Sequence, residues 1–423
     1  MTSATDDATG PVLAADGTPL KRSLNRALRR QKLRALMLVA PLLLFILITF
    51  ILPIGDMLFR SVENQIVSET LPRTVVALED WDETTGELPD EAVFAAFHED
   101  MVIAADQKLH TRLGSRLNYE VSGMSSLFRK TGRRVDRMDT DQPFRDQFID
   151  VDKDWGDVET WSAIKLFSPE YTPGYFLNSV DRTLTPDGIE KRPEDQRIYV
   201  SLFWRTMVLS FTITFSCLLL GYPVAFLLSN LPLRSSNLLM ILVLLPFWTS
   251  LLVRTSAWKV LLQDQGVINN TLVAIGILSD DGRLALINNA TGTIIAMTHI
   301  LLPFMILPLF SVMKTIPPSY VRAAKSLGAT DWTAFWRVYF PQTVPGIGAG
   351  AILVFILAIG YYITPELVGG TSGIFISNRI AYHISSSLNW GLAAALGSTL
   401  LALVLVLYWL YDKIVGIDNV KLG

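Results

Sequence analysis

The sequence predicts an all-α protein that crosses a membrane six times and carries a large segment between its first and second crossings. Half of the 423 residues are hydrophobic, only 18% are charged, and the mean hydropathy is +0.37. Six apolar runs approach the roughly 20 residues that a helix needs to cross about 30 Å of hydrocarbon. Because lipid offers no partner for backbone polar groups, we expect each run to be helical. The runs cover residues 35–58, 206–229, 237–258, 291–313, 346–364 and 392–411.

The N-terminal part is predicted to be a cytosolic tail followed by a retained membrane anchor. Residues 1–20 are of low complexity, and we expect them to be disordered. The basic stretch that follows suits anionic lipid headgroups. The first apolar run is too long for a cleaved signal peptide, and no small-x-small site follows it directly. The predicted boundaries are 1–34 for the tail and 35–60 for the first membrane helix.

Lysine and arginine residues set the predicted orientation. They cluster before the first run and around the loop between the fourth and fifth runs, whereas the short loops on the other side hold Arg283 and Arg379. The positive-inside rule therefore places both termini and that loop in the cytosol. The basic residues on the cytosolic side are Lys21, Arg22, Arg26, Arg29, Arg30, Lys32, Arg34, Lys314, Arg322, Lys325, Arg337, Lys413 and Lys421.

Residues 61–200, called here the inserted segment, interrupt the membrane pattern and are predicted to lie outside the cytosol. They hold 28 of the 39 acidic and 16 of the 36 basic residues, so their net charge is −12. The length suffices for a small domain with its own core. The acidity fits solvation of an external domain, and a surface that recruits cations is the alternative.

We expect the inserted segment to be mainly α-helical. Apolar periodicity over residues 92–117 predicts a helix that carries His98 and His110. Glycine and proline near 172–174 and 185–188 predict turns. The candidates for a core, or for contact with the membrane interface, are Trp155, Trp161, Tyr171, Tyr175 and Phe176.

The loop at residues 316–343 is polar and basic, although apolar runs flank it. Ser319 is predicted to cap a short helix that ends at Leu327. Gly328 can then adopt a positive φ and end that helix. Thr330 is predicted to cap a second short helix, which Pro341 would stop. The prediction is a rigid protrusion on the cytosolic face.

The spacing within this loop resembles the loop by which membrane subunits of ABC-type importers bind their ATPase. That family reads Glu-Ala-Ala, three residues, Gly, nine residues, Ile, one residue, Leu-Pro. This chain departs from it at Arg322, Val338 and Phe340, where the family often has Glu, Ile and Leu. A helical hairpin that merely joins two spans is the alternative. The coupling residues that the resemblance implies are Arg322, Ala323, Ala324, Ser326, Leu327, Gly328, Ala329 and Asp331.

From about residue 199 to its end, the chain resembles the permease subunits of spermidine/putrescine ABC importers and their relatives. The resemblance implies a permease domain over residues 201–423 with a five-helix core, and a peripheral first helix. It says nothing about the inserted segment. Besides the loop, the segments that carry it are residues 220–225, 246–258, 266–270, 302–309, 364–370 and 389–390.

The resemblance also implies an assembly in a bacterial inner membrane. A cytosolic ABC ATPase dimer would bind the ATP, and a second permease subunit, either a related chain or a copy of this one, would complete the path. A periplasmic substrate-binding protein would deliver the solute, with membrane lipids around the complex and no nucleic acid. The chain has no Gly-x-x-x-x-Gly-Lys-Ser/Thr loop, so we expect neither a cofactor nor an ATPase site of its own.

A polyamine or similar small amine-bearing solute is the predicted cargo. Glu366 beside Tyr361 and Tyr362 suits an ammonium through charge and cation–π attraction. A helix-end turn with tyrosines at the membrane interface is the alternative. Arg254 suits a cationic solute poorly; it could pair with Glu366, meet the binding protein, or favour another solute such as an amino acid derivative, an opine or an organic anion. The candidate path residues are Trp248, Thr249, Arg254, Tyr361, Tyr362 and Glu366.

Other functions fit the sequence less well. Cys217 is the single cysteine, so no disulfide forms within the chain. The four histidines lack metal-ligand spacing, so no metal site is expected, and His299 inside the fourth run is expected to make a hydrogen bond between helices. An ion-coupled transporter would carry acids within its spans, whereas Asp56 lies only at the end of one. A sensor would need a cytosolic output domain, and only residues 412–423 follow the last run.

Overall fold

The computed structural model describes residues 20–186 and 188–415. Within them, five helices are long and apolar enough to cross a membrane, in agreement with the predicted helical membrane protein. The disorder expected near the N-terminus concerns residues outside this range, apart from Leu20, where the first helix begins. The five helices are Leu28–Arg60, Tyr199–Asn230, Ala290–Thr315, Asp331–Gly360 and Trp390–Lys413.

The N-terminal helix, up to Phe59, belongs to a unit of its own. No side chain of its most apolar stretch is buried within the chain, as expected for a helix surrounded by lipid. A π-helical turn comes just before Pro53, whose ring nitrogen cannot donate to the carbonyl four residues earlier. The helix consists of Leu20–Ile46, the π-helical turn Leu47–Ile51, and Leu52–Arg60.

The third apolar run is not one straight helix, so the continuous helix expected over residues 237–258 is wrong. Its two halves bend by 96° at Thr249 and Ser250. The Ser250 hydroxyl accepts from the backbone N–H of Val253 at 3.2 Å and so begins a new helix, while Pro246 starts the short turn that ends the old one. The pieces are Leu233–Leu244, the 3-10 turn Leu245–Trp248, and Leu251–Leu261.

Helices Tyr199–Asn230, Ala290–Thr315 and Asp331–Gly360 pack together as the centre of the membrane domain. Glycines let them approach closely, because a Cβ on Gly350 would lie 2.7 Å from the sulfur of Met305. The buried side chains between them are Leu209, Ile213, Cys217, Met297, Ile300, Leu301, Met305, Ile306, Leu309, Val354 and Ala358.

Short elements connect the membrane helices. Before the third long helix, Ala290–Thr315, lie Val267–Ala274 and the 3-10 turn Asp280–Gly282. After Gly360 come three short helices, Ile363–Val368, Gly370–Gly373 and Ile376–Ser385. We call the third of them, Ile376–Ser385, the cleft helix. The last long helix then extends over Trp390–Val415.

The inserted segment is mainly helical, as predicted, with one antiparallel hairpin. The predicted turn at residues 185–188 joins its two strands, and Gly188 has a φ of +129° there. The helices are Gln65–Thr70, Pro72–Ala77, Glu91–Asp106, Leu109–Leu117, Met124–Gly132, Phe144–Val151, Val158–Leu166 and Gly174–Ser179, and the strands are Arg182–Thr185 and Gly188–Lys191.

Aromatic side chains form the core of the inserted segment. Trp155 and Trp161 are fully buried, so the core position expected for them as one option is confirmed. The Trp155 indole donates to the Thr131 hydroxyl at 2.8 Å, and the Trp161 indole donates to the Trp155 carbonyl at 3.0 Å. Each buried ring contributes about 1.5–3 kcal/mol to stability. The rings packed around them are Phe94, Phe97, Phe128 and Phe148.

The continuous helix expected over residues 92–117 is wrong, because it is two helices that meet at Lys108. Lys108 has a φ of +58°, a left-handed conformation that interrupts a right-handed helix. His98 and His110 therefore lie on different helices. The His110 ring instead contacts the Ala104 carbonyl at 3.2 Å across the break.

Residues 62–64, near the start of the inserted segment, pair with residues 170–172, nearer its end. The backbone N–H of Asn64 donates to the carbonyl of Glu170 at 2.7 Å, and that of Thr172 donates to the carbonyl of Val62 at 2.8 Å. The Asn64 side chain adds a bond to the carbonyl of Phe167 at 2.6 Å. The chain therefore enters and leaves the globular part of the inserted segment at the same place, and these backbone hydrogen bonds join its two ends.

Candidate functional site

The first candidate site is the loop between the third and fourth long helices, Ala290–Thr315 and Asp331–Gly360. Its first helix, Pro318–Ser326, ends at Gly328, which has the predicted positive φ, +89°. The N–H of Gly328 donates to the carbonyl of Lys325 at 3.0 Å, and that of Ala329 donates to the carbonyl of Ala324 at 3.1 Å. These bonds close the helix end in the manner that a glycine there permits.

Two details of this loop differ from the prediction. Ser319 does not cap the first helix, because Pro318 already occupies its first turn and fixes a helical φ one residue earlier. Pro341 does not stop the second helix. A π-helical turn, Phe335–Tyr339, lies just before it, so the chain continues from Asp331 to Gly360. The cap at Thr330 is confirmed by its bond from the N–H of Thr333 at 3.2 Å.

The turn of this loop presents apolar side chains to solvent. Leu327 is 90% exposed and Trp332 is 72% exposed, and no residue of the first helix is buried. Lys325 forms an ion pair with Asp331 across the glycine. Exposed large apolar groups on a rigid turn are typical of a protein contact. Trp332 was not among the predicted coupling residues, although its position beside Asp331 in a polar loop could have indicated it.

The predicted coupling residues lie together around this turn. Arg322, Ala323, Ser326, Leu327, Gly328 and Asp331 are exposed, and Ala324 and Ala329 are half-buried. A groove of about 720 Å³ beside the turn is lined by Arg322, Lys325 and Trp332. Lys314, before the turn in the chain, and Tyr339, after it, also line this groove.

The second candidate site is a cleft of about 500 Å³ beside the cleft helix. We call it the outer cleft, after the side of the membrane on which the predicted topology would put it. Glu366 and Tyr362, two of the predicted path residues, line it and are exposed. Oε2 of Glu366 accepts from the Asn378 side-chain amide at 2.6 Å. The outer cleft is lined chiefly by Tyr362, Glu366, Thr371, Asn378, Arg379 and Tyr382.

Sequence reasoning missed three residues of the outer cleft, Asn378, Arg379 and Tyr382. They lie on a ten-residue helix that is too short for a clear apolar period. The available signal was the polar pair Asn378-Arg379 between Ile376 and Ile380. Arg379 brings a guanidinium into the same cleft as the Glu366 carboxylate, and it lies 5.8 Å from the ring centre of Tyr382.

The other predicted path residues are not in the outer cleft. Trp248, Thr249 and Arg254 lie at the break in the third run, and Trp248 is 77% exposed. Tyr361 contributes its carbonyl, which accepts from the Ser377 hydroxyl at 2.7 Å, and its side chain does not line the cleft.

Arg254 stabilises the break in the third run. Its guanidinium donates to the carbonyl of Thr249 at 3.0 Å and to that of Pro246, which are groups that a continuous helix would have satisfied. The pairing with Glu366 that was one option is not formed among the described residues. Sequence reasoning could not find this role, because it depends on the bend.

Hydrogen bonds hold the second half of the third run against its neighbours. The Trp258 indole donates to Nδ1 of His299 at 3.1 Å, so the interhelical bond expected for His299 is confirmed. The hydroxyls of Thr255 and Thr364 lie 3.1 Å apart in a buried position. Thr364 belongs to the same short helix as Glu366, so the break and the outer cleft are adjacent.

Comparison with known proteins gives the family. Residues 206–415 match the family described as binding-protein-dependent transport system inner membrane component. The spermidine/putrescine transport system permease protein PotB of Haemophilus influenzae is 38% identical over 222 residues, which are 52% of this chain and 77% of that protein. The Escherichia coli protein of the same name is 33% identical over 222 residues, or 52% and 80% of the two chains.

Two further similarities are more distant. The inner membrane ABC transporter permease protein YdcU of Escherichia coli is 32% identical over 223 residues, which cover 50% of this chain and 70% of that one. A chain in the crystal structure of a bacterial alginate ABC transporter, in complex with an alginate pentasaccharide-bound periplasmic protein, has a TM-score of 0.45 at 18% identity, with coverage of 54% and 81%. From the family match and the long, well-covered relatives, the chain belongs to the binding-protein-dependent transport system inner membrane components and is a permease subunit of an ABC importer.

Proposed function

We propose that this permease imports a polyamine or a similar small amine-bearing solute. The observation that carries the proposal is the exposed carboxylate of Glu366 in a cleft that it shares with the rings of Tyr362 and Tyr382. A carboxylate attracts an ammonium, and tyrosine faces add cation–π attraction. The names of the 33–38% identical relatives, which refer to spermidine and putrescine, support the same class of solute.

The proposed topology has six crossings with both termini in the cytosol and the inserted segment in the periplasm. The bent pair Leu233–Trp248 and Leu251–Leu261 then counts as one crossing. The distribution of lysine and arginine supports this orientation. The net charge of −12 on the inserted segment is screened beyond about 8–10 Å at physiological salt. It can therefore concentrate cations near the entrance, whereas specificity requires close contacts such as Glu366.

The proposed partners are an ATPase dimer in the cytosol, a second permease and a periplasmic binding protein. The ATPase would contact the turn at Gly328, where Leu327 and Trp332 project. ATP-driven closure of the ATPases would then move this turn, and the long helix from Asp331 to Gly360 would transmit the movement toward the outer cleft. The ATP itself would be bound by the partner, and this chain would supply the solute path.

A second candidate solute class follows from Arg379. Its guanidinium lines the same cleft as Glu366, and a guanidinium binds carboxylates well. A solute that carries both an ammonium and a carboxylate, such as an amino acid derivative, would use both groups. This candidate differs from a polyamine in one measurable respect, because the loss of Arg379 should weaken its uptake and should leave polyamine uptake intact or improved.

The test is uptake by the full complex in proteoliposomes, with its own ATPase, second permease and binding protein. Radiolabelled spermidine and an amino acid are supplied separately. Glu366→Gln removes the charge and keeps the shape, so we expect spermidine uptake to fall about tenfold or more while the complex stays assembled. Glu79→Gln is the matched control, since Glu79 is exposed on the inserted segment, outside the cleft. Unchanged spermidine uptake by Glu366→Gln would refute the proposed role of Glu366.

A further inference from the structure

The cleft helix, Ile376–Ser385, has two faces that meet different parts of the chain. Asn378 faces the outer cleft, where its side-chain amide holds Glu366 and the Tyr362 carbonyl at 2.6 and 2.9 Å. Its Oδ1 accepts from the N–H of Phe375 at 3.0 Å, so all its polar atoms are engaged. His383, just over one turn later, is buried on the side of the inserted segment.

His383 is held on both ring nitrogens. Nε2 lies 3.0 Å from the hydroxyl of Tyr199, and Nδ1 lies 2.8 Å from the hydroxyl of Ser387. The ring of Tyr119, from the inserted segment, meets it edge-on with ring centres 6.0 Å apart. Only 3% of His383 is exposed, so losing either bond would leave a buried polar group unpaired.

The inserted segment also fixes the helix that carries Tyr199. The Asp181 carboxylate accepts from the backbone N–H groups of Ile198, Tyr199 and Val200 at 3.1, 2.9 and 2.8 Å. A carboxylate at a helix N-terminus satisfies donors that have no partner in the helix and is favoured by the helix dipole. The backbone carbonyl of Asp181 in turn accepts a hydrogen bond from the backbone N–H of Arg192 at 3.1 Å. The start of the helix Tyr199–Asn230 is therefore bonded to Asp181.

A third contact fixes the start of the last long helix. A Cβ on Gly391 would lie 2.4 Å from ring atoms of Tyr175, so the ring and the helix backbone are in direct contact. The hydroxyls of Ser179 and Thr399 lie 3.2 Å apart nearby. The inserted segment thus holds the ends of two long helices and, through Tyr199 and His383, the cleft helix between them.

We propose that His383 is a positioning residue, through which the inserted segment fixes the cleft helix and thereby the Asn378 amide that orients Glu366. The inserted segment is then part of the solute path's support. The proposal rests on the proposed function only in taking the outer cleft as a place where the solute binds. Its structural half, that the cleft helix is fixed through Tyr199 and His383, can be tested without any solute.

The test uses two variants that remove the same bond from its two sides, Tyr199→Phe and His383→Leu, in the reconstituted complex. We expect each to raise the KM for spermidine about 2- to 10-fold, the factor that corresponds to one lost hydrogen bond, with the maximal rate changed less than about twofold. The double variant should be no worse than His383→Leu alone, because both remove one interaction. His383→Gln keeps a polar group near the position of Nε2 and should restore most of the affinity.

A solute-free readout accompanies the kinetics. Ser385 lines the outer cleft and is exposed, so Ser385→Cys in a Cys217→Ser background reports the mobility of the cleft helix through its rate of reaction with an impermeant maleimide. We expect labelling to be several-fold faster in Tyr199→Phe and His383→Leu. Tyr408→Phe is the matched control, because Tyr408 is an exposed residue of the last long helix and does not line the outer cleft.

The outcomes separate the two proposals. Unchanged labelling and unchanged KM in both variants overturn the positioning role, and so does faster labelling with unchanged KM. If the wild-type complex takes up no spermidine, the proposed function fails, and if Glu366→Gln leaves spermidine uptake intact, the proposed role of Glu366 fails. In either case the labelling result still decides whether Tyr199 and His383 fix the cleft helix. Because Tyr199→Phe deletes only one oxygen atom, the test remains available even if His383→Leu does not assemble.

Discussion

The side-chain amide of Asn378 donates to the carboxylate of Glu366 at 2.6 Å, and the same nitrogen donates to the carbonyl of Tyr362 at 2.9 Å. One amide therefore ties the acid of the outer cleft to the backbone just beyond the long helix Asp331–Gly360. The acid is oriented before any solute arrives, which reduces the ordering cost of binding.

Removing this amide should weaken solute binding. We expect Asn378→Ala to raise the KM for spermidine about 2- to 10-fold, because Glu366 would lose the hydrogen bond that orients it. It should also lower the melting temperature slightly, since the N–H of Phe375 loses its acceptor. Uptake kinetics and thermal melting of the purified complex measure the two effects. Asn378→Asp is the informative companion, because it keeps the acceptor for Phe375, removes the donor and places a second carboxylate beside Glu366. A wild-type KM in both variants would contradict the orienting role.

The role of Gly328 in its turn can be tested by backbone strain alone. A Cβ on Gly328 would meet nothing within 4 Å, yet the φ of +89° is unfavourable for a β-branched residue. Gly328→Val should therefore cost about 1–3 kcal/mol in this turn and reduce co-purification of the ATPase, while membrane insertion is intact. Gly328→Asn is the matched control, since asparagine tolerates positive φ better. Equal ATPase recovery with valine would show that the turn's shape does not matter for attachment.

Trp332 should contribute to ATPase attachment. It is 72% exposed on the turn, and large exposed aromatic side chains often dominate protein contacts. Trp332→Ala should weaken ATPase binding about tenfold or more, as measured by titrating purified ATPase onto the permease. Trp409→Ala removes a similarly exposed tryptophan from the last membrane helix and should leave the affinity unchanged. Loss of affinity in both variants would point to general damage.

The orientation can be tested with single cysteines in a Cys217→Ser background. Cysteines at Glu79 and Asp281, both exposed, should react with an impermeant thiol reagent added outside sealed cells. A cysteine at Ser326 should react only after the membrane is opened, because the positive-inside rule predicts a cytosolic position for this turn. Labelling of position 326 in sealed cells would overturn the six-crossing topology.

Acid should destabilise the contact between the inserted segment and the cleft helix. Burial, with the nearby charge of Arg379, lowers the pKa of His383 from 6.5 to about 4. The rings of Tyr119, Tyr199 and Tyr382 pack against the ring of His383. Between about pH 6.5 and 4 the unfolded chain binds a proton at His383 that the folded protein excludes. The contribution of His383 to the free energy of unfolding therefore falls as the pH falls through this window and levels off below about pH 4.

Melting temperatures of the detergent-solubilised complex across pH 4–7.5 measure this effect. His383→Gln cannot titrate, so its melting temperature should fall less steeply over the same window, and the difference between the two curves isolates His383 from other groups. Parallel curves for wild type and variant would contradict the assignment.

The sequence predicted features that depend on local chemistry. Four of the six apolar runs lie entirely within helices, and the helix of the fifth run, 346–364, ends early at Gly360. Length and apolarity alone predict helices of this kind in lipid. Gly328 and Thr330 were found because a positive φ and a helix cap are set by the residue itself. The inserted segment was correctly expected to be mainly helical.

Features that depend on neighbours were missed. Pro341 normally ends a helix, but the π-helical turn before it shifts the bonding pattern, and the same arrangement precedes Pro53. The break in the third run is stabilised by Arg254 from beyond the bend. Asn378 and His383 acquire roles only when Glu366 and Tyr199 are brought to them from 12 and 184 positions away. These contacts depend on the folded chain and are not indicated by the residues next to Asn378 or His383 in the sequence.

The backbone bonds that join residues 62–64 to residues 170–172 bear on how such a chain could arise. A block of residues whose entry and exit lie side by side can be gained or lost as one unit, since the ancestral connection would hardly need to lengthen. The matched relatives cover about half of this chain, and the family match begins at residue 206. Acquisition of a preformed globule in an ancestral loop, followed by the evolution of contacts such as Asp181 and Tyr175, is a physically accessible history for this protein.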